Sequence, residues 1–103
     1  MNITDIKIRK IFTANRLKAL VSITLDNELA IHDMKIIESN SRLFVAMPSR
    51  YENGIFRDIA HPISQAVRDY IESVILDKYN WYLANQEIEP ADLLGNNDNL
   101  DAQ

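Results

Sequence analysis

The chain of 103 residues has no cysteine and only two glycines, Gly54 and Gly95. Without cysteine it cannot form a disulfide, offer a thiol nucleophile or bind zinc through thiolates. Phosphate-binding loops of the GxGxxG and GxxxxGK[ST] types need at least two glycines within a few residues, and these two lie too far apart. The same spacing excludes a GxSxG nucleophile elbow, and no HExxH or EF-hand sequence occurs. Most familiar enzyme signatures are therefore excluded.

Long apolar runs are also missing. No segment approaches the ~20 apolar residues that span a bilayer, and residues 1–5 lack the basic and then apolar regions of a signal peptide. We therefore expect a cytoplasmic protein with no membrane partner. With 47% apolar and 25% charged residues, the chain is typical of one compact domain, which at this length buries about 60 to 70% of its unfolded surface. Packing or oligomerisation must then supply its stability.

Charge is unevenly distributed along the chain. The formal net charge is −4, but residues 85–103 carry five acidic residues and no basic one, which leaves +1 for residues 1–84. The same segment contains Pro90, Gly95 and several asparagines, a composition too polar to offset its ordering entropy. We predict a single domain over residues 1–84 and an acidic, disordered tail over residues 85–103 that either solubilises or regulates the protein.

Alternation of apolar and polar residues predicts strands ahead of that tail. A first strand places Ile6, Ile8 and Phe12 on one face and charged residues on the other. A second strand, over residues 17–25, repeats the pattern. Residues 29–37 predict a third strand with apolar residues on both faces. The apolar run over residues 43–47 predicts a fourth strand that is covered on both faces.

Two short polar segments predict tight turns. Asp26-Asn27 follows the second strand, and asparagine tolerates positive φ, so a hairpin is expected there. Asn53-Gly54 separates residues 49–51 from residues 55–57, and this dipeptide is the strongest short-range hairpin signal. It predicts a small projecting β-ribbon.

A helix is predicted after His61-Pro62. Ser64 is placed to cap it, and apolar residues recur at helical spacing up to about Leu83. The apolar positions are Val67, Ile71, Val74 and Ile75. Strands followed by one long helix, rather than alternating with helices, indicate an α+β fold, an antiparallel β-sheet of about four to six strands with the helix on one face.

Five segments of the chain resemble one known family. They are Ile3-Thr4-Asp5-Ile6, Ser22-Ile23-Thr24-Leu25-Asp26, Ile31-His32-Asp33-Met34, Leu43-Phe44-Val45-Ala46-Met47-Pro48-Ser49-Arg50 and Phe56-Arg57-Asp58-Ile59-Ala60-His61-Pro62-Ile63. Together they resemble the stage V sporulation protein G (SpoVG, septation regulator) family over about residues 1–83. Residues 43–50 and 56–63 are the most specific part of the likeness, and the acidic tail lies outside it.

The resemblance implies a small bacterial dimer in the cytoplasm that binds DNA and RNA and regulates gene expression, with links to septation, sporulation or virulence. It implies no catalysis, no cofactor and no small-molecule substrate. Family members commonly carry two adjacent basic residues before the glycine turn, whereas this chain has Arg50-Tyr51-Glu52-Asn53-Gly54. Because a single basic residue beside a carboxylate attracts phosphate less strongly, we expect affinity or sequence preference to differ from that of relatives.

Four arginines are the candidate phosphate contacts, because a guanidinium group binds phosphate oxygens bidentately and keeps its charge. They are Arg42, Arg50, Arg57 and Arg68. Tyr51 and Phe56 would stack on exposed bases. Alternatively, the arginines solvate a sheet edge or pair with nearby carboxylates. A second basic group either extends this surface or guards an edge strand against aggregation; it comprises Lys7, Arg9, Lys10, Arg16 and Lys18.

An apolar row on the predicted helix suggests a partner chain. Leu76, Tyr79 and Leu83 are spaced three and four residues apart, on the side that should meet water. With Leu43 and Val45 of the fourth strand they form the predicted interface of a two-fold homodimer. Alternatively, the row packs against the start of the tail, around Ile88, Leu93 and Leu94, within one chain.

Two further functions stay open on the residues alone. A protein-interaction adaptor in cell division or sporulation would act through its sheet edge or its helix. A hydrolase would use His61 and Asp58, because imidazole beside carboxylate is the raw material of metal ligation and general base chemistry. His32-Asp33 offers the same pair of groups, and His32 is expected to belong to a sheet face.

Overall fold

The computed structural model describes residues 1–85, which form six strands and one helix. The elements are β1 (Ile3–Ile11), β2 (Leu17–Leu25), β3 (Leu29–Ser39), β4 (Arg42–Ala46), β5 (Ser49–Glu52), β6 (Ile55–Asp58) and α1 (Gln65–Asn85). The predicted α+β class, with strands first and one helix last, is confirmed. The predicted tail over residues 85–103 starts at Asn85, which the structure places in α1. The rest of it, including the packing alternative through Ile88, Leu93 and Leu94, lies outside the described residues.

The first four strands form one antiparallel sheet in the order β1-β2-β3-β4, so each strand pairs with the next in sequence. Asp26 and Asn27 in the β2–β3 turn have φ values of 51° and 56°. Positive φ at both central residues is the requirement of a type I′ hairpin turn, which confirms the predicted hairpin. β3 extends past the predicted residue 37 to Ser39, because Ser39 still pairs with Arg42 beside the next turn.

The core lies between one face of this sheet and α1. It is built from Ala19, Val21, Ile23, Leu25, Met34, Ile36, Val45, Met47, Ile71, Ile75 and Tyr79. The three helix residues follow one another at intervals of four, which places them on a single stripe of the helix. Tyr79 is 6% exposed. It therefore belongs to the stripe that faces the sheet, which corrects its predicted place in a row that meets water.

Helix α1 begins where the sequence predicts. The N–H of Val67 donates to Oγ of Ser64 over 3.1 Å, and the N–H of Arg68 donates to the Ser64 carbonyl at the same distance. A serine at this position satisfies N–H groups that have no partner inside the helix. The helix continues to Asn85, two residues beyond the predicted end at Leu83.

Two helix side chains bond to the main chain of the two outer strands. The hydroxyl of Tyr70 accepts the N–H of Ile3 in β1 over 2.9 Å. The Oε2 atom of Glu72 accepts the N–H of Val45 in β4 over 3.0 Å. Because β1 and β4 are the edges of the sheet, α1 both covers one face and satisfies a main-chain donor at each side.

Strands β5 and β6 form a separate two-stranded sheet, called the ribbon below. Asn53 and Gly54 join its strands with φ values of 52° and 83°, so the predicted hairpin is confirmed. At its base the N–H of Ile59 donates to the Pro48 carbonyl over 2.7 Å. The ribbon thus projects from the domain after β4 as a closed hairpin.

Candidate nucleic-acid interface

The ribbon separates its arginines from its aromatic residues. Arg50 pairs across the strands with Arg57, and Tyr51 pairs with Phe56. Because side chains alternate between the faces of a strand, the two arginines lie on one face and the two aromatic rings on the other. The rings are in edge contact, with centroids 4.9 Å apart. One flat ligand cannot contact all four side chains at once.

The basic face of the ribbon is partly neutralised. Arg50 lies 3.6 Å from Oε2 of Glu52 on the same face, and both side chains are at least half exposed. An ion pair this exposed contributes little, so it leaves Arg50 free to exchange its carboxylate partner for a phosphate. Family members commonly carry two adjacent basic residues in this segment, whereas in this chain Arg50 lies beside the carboxylate of Glu52.

The other two candidate arginines lie elsewhere. Arg42 opens β4 and is exposed, where it pairs with Ser39. Arg68 lies in the first turn of α1 and is half-buried. Of the four predicted arginines, only Arg50 and Arg57 are brought together by strand pairing.

A second basic surface covers the sheet face opposite α1, called the open face below. Strand register places on it the basic residues Lys7, Arg9, Lys10, Lys35 and Arg42. Phe44, on the same face, is 37% exposed. Asp5 and Asp33 are the acidic residues that β1 and β3 place there. Basic groups therefore outnumber acidic ones, and an aromatic ring lies among them.

A β-bulge explains how β1 contributes Arg9 and Lys10 to the same face. Strict alternation would turn Lys10 toward the core and Ile11 away from it. The register shifts between Ile8 and Lys10, so that Lys10 pairs with Leu20 while Ile11 pairs with the buried Ala19. The consecutive basic pair in the sequence was the available signal for this bulge, and periodicity alone does not position it.

The remaining members of the second basic group, Arg16 and Lys18, do not lie free on the open face but bond to Glu38. Lys18 forms an ion pair with Glu38 at 3.3 Å, and Nε of Arg16 donates to the Glu38 carbonyl over 3.3 Å. The Glu38 carboxylate also affects Tyr79 of the helix. Burial raises the pKa of the Tyr79 hydroxyl above 10.0, and the negative charge of Glu38 raises it further. Lys18 and Arg16 are thus engaged with β3, while Lys35 is a basic residue of the open face that the sequence reasoning missed.

The predicted dimer interface needs revision. Val45 and Tyr79 are 1% and 6% exposed in the single chain, because each packs in the core between sheet and helix. Neither can meet a partner without displacing α1. Leu43 and Leu76 are half-buried against the same core, and Leu83 is 43% exposed. The surface that remains for a partner is therefore Leu83 with the outer parts of Leu43 and Leu76.

A larger unpaired apolar surface lies in and beside the ribbon. Its members are Tyr51, Ile55, Phe56, Ile59 and Ile63, with exposures between 49% and 94%. Tyr51 and Phe56 are the residues predicted to stack on bases, and no sequence motif marks the three isoleucines. Ile55 pairs with Glu52 and so lies on the arginine face, whereas Tyr51 and Phe56 share the other face. Exposed apolar side chains in this number are typical of an interaction site.

Among residues 1–85, His61 and Asp58 of the hydrolase alternative form no hydrogen bond or ion pair with each other. His61 is exposed, and its Nδ1 lies 3.2 Å from the carbonyl of Pro62. Asp58 ends β6, opposite Ser49. Within residues 1–85 no three histidine, aspartate or glutamate side chains are grouped to hold a metal ion. Over the same residues, α1 is not apolar enough to cross a membrane.

Comparison with known proteins points to one family. The sequence profile described as SpoVG matches residues 1–81. A protein from Exiguobacterium sp. strain AT1b, named septation protein SpoVG, is 54% identical over 93 residues, which cover 89% of this chain and 90% of the relative. A Lachnoclostridium phytofermentans protein of the same name is 50% identical over 93 residues, 89% of this chain and its own full length. A third, from Acetivibrio thermocellus, is 56% identical over 80 residues, 77% of this chain and 85% of the relative.

Proposed function

Because this chain belongs to the SpoVG family, we propose that it is a bacterial DNA- and RNA-binding regulator of gene expression, active in septation or sporulation. It acts by binding rather than by catalysis, and it needs no cofactor. The names of its relatives support the septation role. The binding activity is supported by the chemistry of its surface.

The observation that carries the proposal is the open face. It presents five basic residues, two acidic ones and an exposed aromatic ring on one sheet surface that no other described element covers. Clustered lysine and arginine attract the phosphate backbone, and an aromatic ring on a sheet offers a platform for an unstacked base. The arginine face of the ribbon extends the same chemistry with Arg50 and Arg57.

The proposal includes a homodimer. A two-stranded hairpin is marginally stable on its own in water, yet the aromatic face of the ribbon is open, with Tyr51 62% and Phe56 74% exposed. A second copy of the chain that packs on this face would bury both rings and leave Arg50 and Arg57 outward. We therefore assign Tyr51 and Phe56 to the partner chain rather than to bases. Leu83 and the outer part of Leu76 are apolar side chains of α1 that a partner chain would also cover.

A mobility-shift experiment tests the binding function. Labelled DNA and RNA fragments are titrated with the protein at several salt concentrations. Phosphate contacts predict a shift whose affinity falls steeply with salt, because each contact releases bound counterions. The absence of any shift at low salt contradicts the proposal and favours the adaptor, which would work through the exposed apolar residues of the ribbon.

A further inference from the structure

The centre of the open face is distorted by two neighbouring β-bulges. Ser22 lies in the middle of β2. The bulge in β1 brings Arg9 beside it, and a second register shift sets two residues of β3, His32 and Asp33, opposite Ser22 alone. Asp33 has a φ of 65°. Bulges re-aim side chains and concentrate at functional sites, and two of them opposite residues 20–22 of one strand are not needed to build a four-stranded sheet.

The distortion creates a hydrogen-bonded chain of three side chains. Nε of Arg9 donates to Oγ of Ser22 over 2.9 Å, and Oγ of Ser22 lies 2.9 Å from Nδ1 of His32. The Ser22 hydroxyl has no other partner among residues 1–85, so it satisfies its own hydrogen by donating to Nδ1. His32 then carries its proton on Nε2, because Nδ1 accepts.

Both ends of this chain present donors toward solvent. Arg9 uses only Nε in the chain, which leaves the two terminal nitrogens of its guanidinium group. His32 offers the N–H at Nε2. Arg9 and His32 are exposed, whereas Ser22 is 6% exposed beneath them. They line a hollow of about 330 Å³ together with Leu20, Val21 and Asp33.

We propose that this hollow is a phosphate-binding site that holds one phosphodiester of a nucleic-acid strand laid across the open face. Arg9 and His32 are the binding residues, and Ser22 is a positioning residue that fixes both of them. Lys7 and Lys10, on the same face of β1, add charge for the neighbouring phosphates. The inference rests on the proposed nucleic-acid function and names its central contact.

A hydrolytic use of the same residues fits the geometry less well. A nucleophilic serine needs an exposed oxygen, whereas Oγ of Ser22 accepts from Arg9 and the residue is only 6% exposed. Asp33 opposes an anion electrostatically, and this gives the site a test of its own. Removing its charge must strengthen phosphate binding, while a catalytic aspartate would show the reverse effect on activity.

The experiment measures the fluorescence anisotropy of a labelled single-stranded oligonucleotide with wild-type protein and four variants. Arg9→Gln is expected to weaken binding about tenfold by removing a charge-assisted contact. Lys78→Gln removes the same charge from α1, on the other side of the sheet, and is expected to change affinity less than twofold. Ser22→Ala leaves the net charge unchanged but releases Arg9 and His32, so a loss of about threefold reports positioning rather than bulk electrostatics.

Asp33→Asn is the variant of opposite sign. Asparagine tolerates positive φ as well as aspartate does, so the bulge is retained while one negative charge is removed. We expect binding to tighten by about two- to fivefold. Far-ultraviolet circular dichroism and thermal melting of each variant confirm that it remains folded. Each variant is also titrated with inorganic phosphate while the side-chain nitrogen signals of His32 are followed by NMR.

The outcomes separate this site from the proposed function. If the oligonucleotide binds and Arg9→Gln loses no more than Lys78→Gln, the site is wrong and the nucleic-acid function stands. If the oligonucleotide does not bind but inorganic phosphate shifts the His32 signals of wild type and not of Arg9→Gln, the hollow binds phosphate from another source and the proposed function fails. Failure of both ligands overturns both. A loss confined to Arg9→Gln and Ser22→Ala, with a gain in Asp33→Asn, supports the site.

Discussion

Single side chains of α1 hold the outer strands of the sheet in place. The hydroxyl of Tyr70 is the partner of the Ile3 N–H in a partly buried setting. We expect Tyr70→Phe to lower the free energy of unfolding by about 1 kcal/mol, because that N–H loses its acceptor. Tyr82→Phe is the matched control, since the Tyr82 hydroxyl makes no hydrogen bond with residues 1–85. Urea denaturation measures both, and equal losses would contradict the assigned role.

Tyr79 gives the stability a dependence on alkaline pH. Burial, and next the Glu38 carboxylate, raise the pKa of its hydroxyl above 10.0. In the unfolded chain the same hydroxyl ionises at about 10. Unfolding therefore releases a proton above pH 10, so the contribution of Tyr79 to stability is fully present below that pH and is lost as pH rises toward the folded pKa.

This predicts that the stability difference between wild type and Tyr79→Phe depends on pH. The free energy of unfolding of wild type should fall relative to that of Tyr79→Phe as pH rises from 9 to 11, while the difference between the two proteins stays constant below about pH 9. Urea denaturation at each pH supplies the measurement. A constant difference over the whole range would show that the hydroxyl titrates alike in the folded and unfolded chain.

Among the elements, the ribbon carries a prediction about counterions. Arg50 and Arg57 are cross-strand neighbours on its basic face. We expect Arg50→Ala with Arg57→Ala to weaken binding for every sequence tested and to reduce the salt slope by about one to two, because fewer phosphates are neutralised. Mobility shifts at four salt concentrations give the slope. An unchanged slope in a folded double variant would remove the ribbon from the interface.

Some of the elements could be predicted from the sequence, and others could not. Period-two alternation and the Asp26-Asn27 and Asn53-Gly54 turns predict β1, β2, the hairpin and the ribbon, because these signals are local. The serine cap predicts the start of α1 for the same reason. The bulges beside Ser22 could not be predicted, since a register shift depends on which residues meet across three strands. Lys35 and Ser22 could not be placed for that reason, whereas the opposite faces of the ribbon follow from local alternation alone.

Tyr79 and Val45 illustrate the same limit within the core. The helical spacing of Leu76, Tyr79 and Leu83 is real, but two apolar rows on one helix do not reveal which of them faces the sheet. The observed stripe of Ile71, Ile75 and Tyr79 is the one that packs with the sheet residues in the core. Long-range packing therefore decided what the periodicity left open.

At the scale of the whole molecule, the exposed apolar residues predict a dimer. We expect Leu76→Glu with Leu83→Glu to separate it, because buried unpaired carboxylates are strongly disfavoured. Ser73→Glu with Asn80→Glu is the matched control, with two carboxylates at the same seven-residue spacing on exposed positions of α1. Light scattering at tens of micromolar measures the mass. A monomeric wild type would contradict the dimer, as would a double variant that stays dimeric.

A substitution in the ribbon distinguishes the role of its aromatic face from that of its arginine face. Phe56→Ser removes a 74% exposed ring without altering charge. We expect it to favour the monomer, and we expect each monomer still to bind phosphate. Because the single chain does not use this ring in its core, thermal melting of the monomer should change little. A large fall in the melting temperature of the monomer would instead show that the Phe56 ring stabilises the fold of the single chain.

The double attachment of α1 has a consequence for synthesis on the ribosome. The six strands leave the exit tunnel before the helix, so a nascent chain of residues 1–64 has an uncovered apolar sheet face and two edges without Tyr70 and Glu72. Such edges pair readily with other chains. We expect the nascent sheet to need a chaperone or rapid completion of the helix. Chains that end before α1 should aggregate, while the full-length chain should stay in solution.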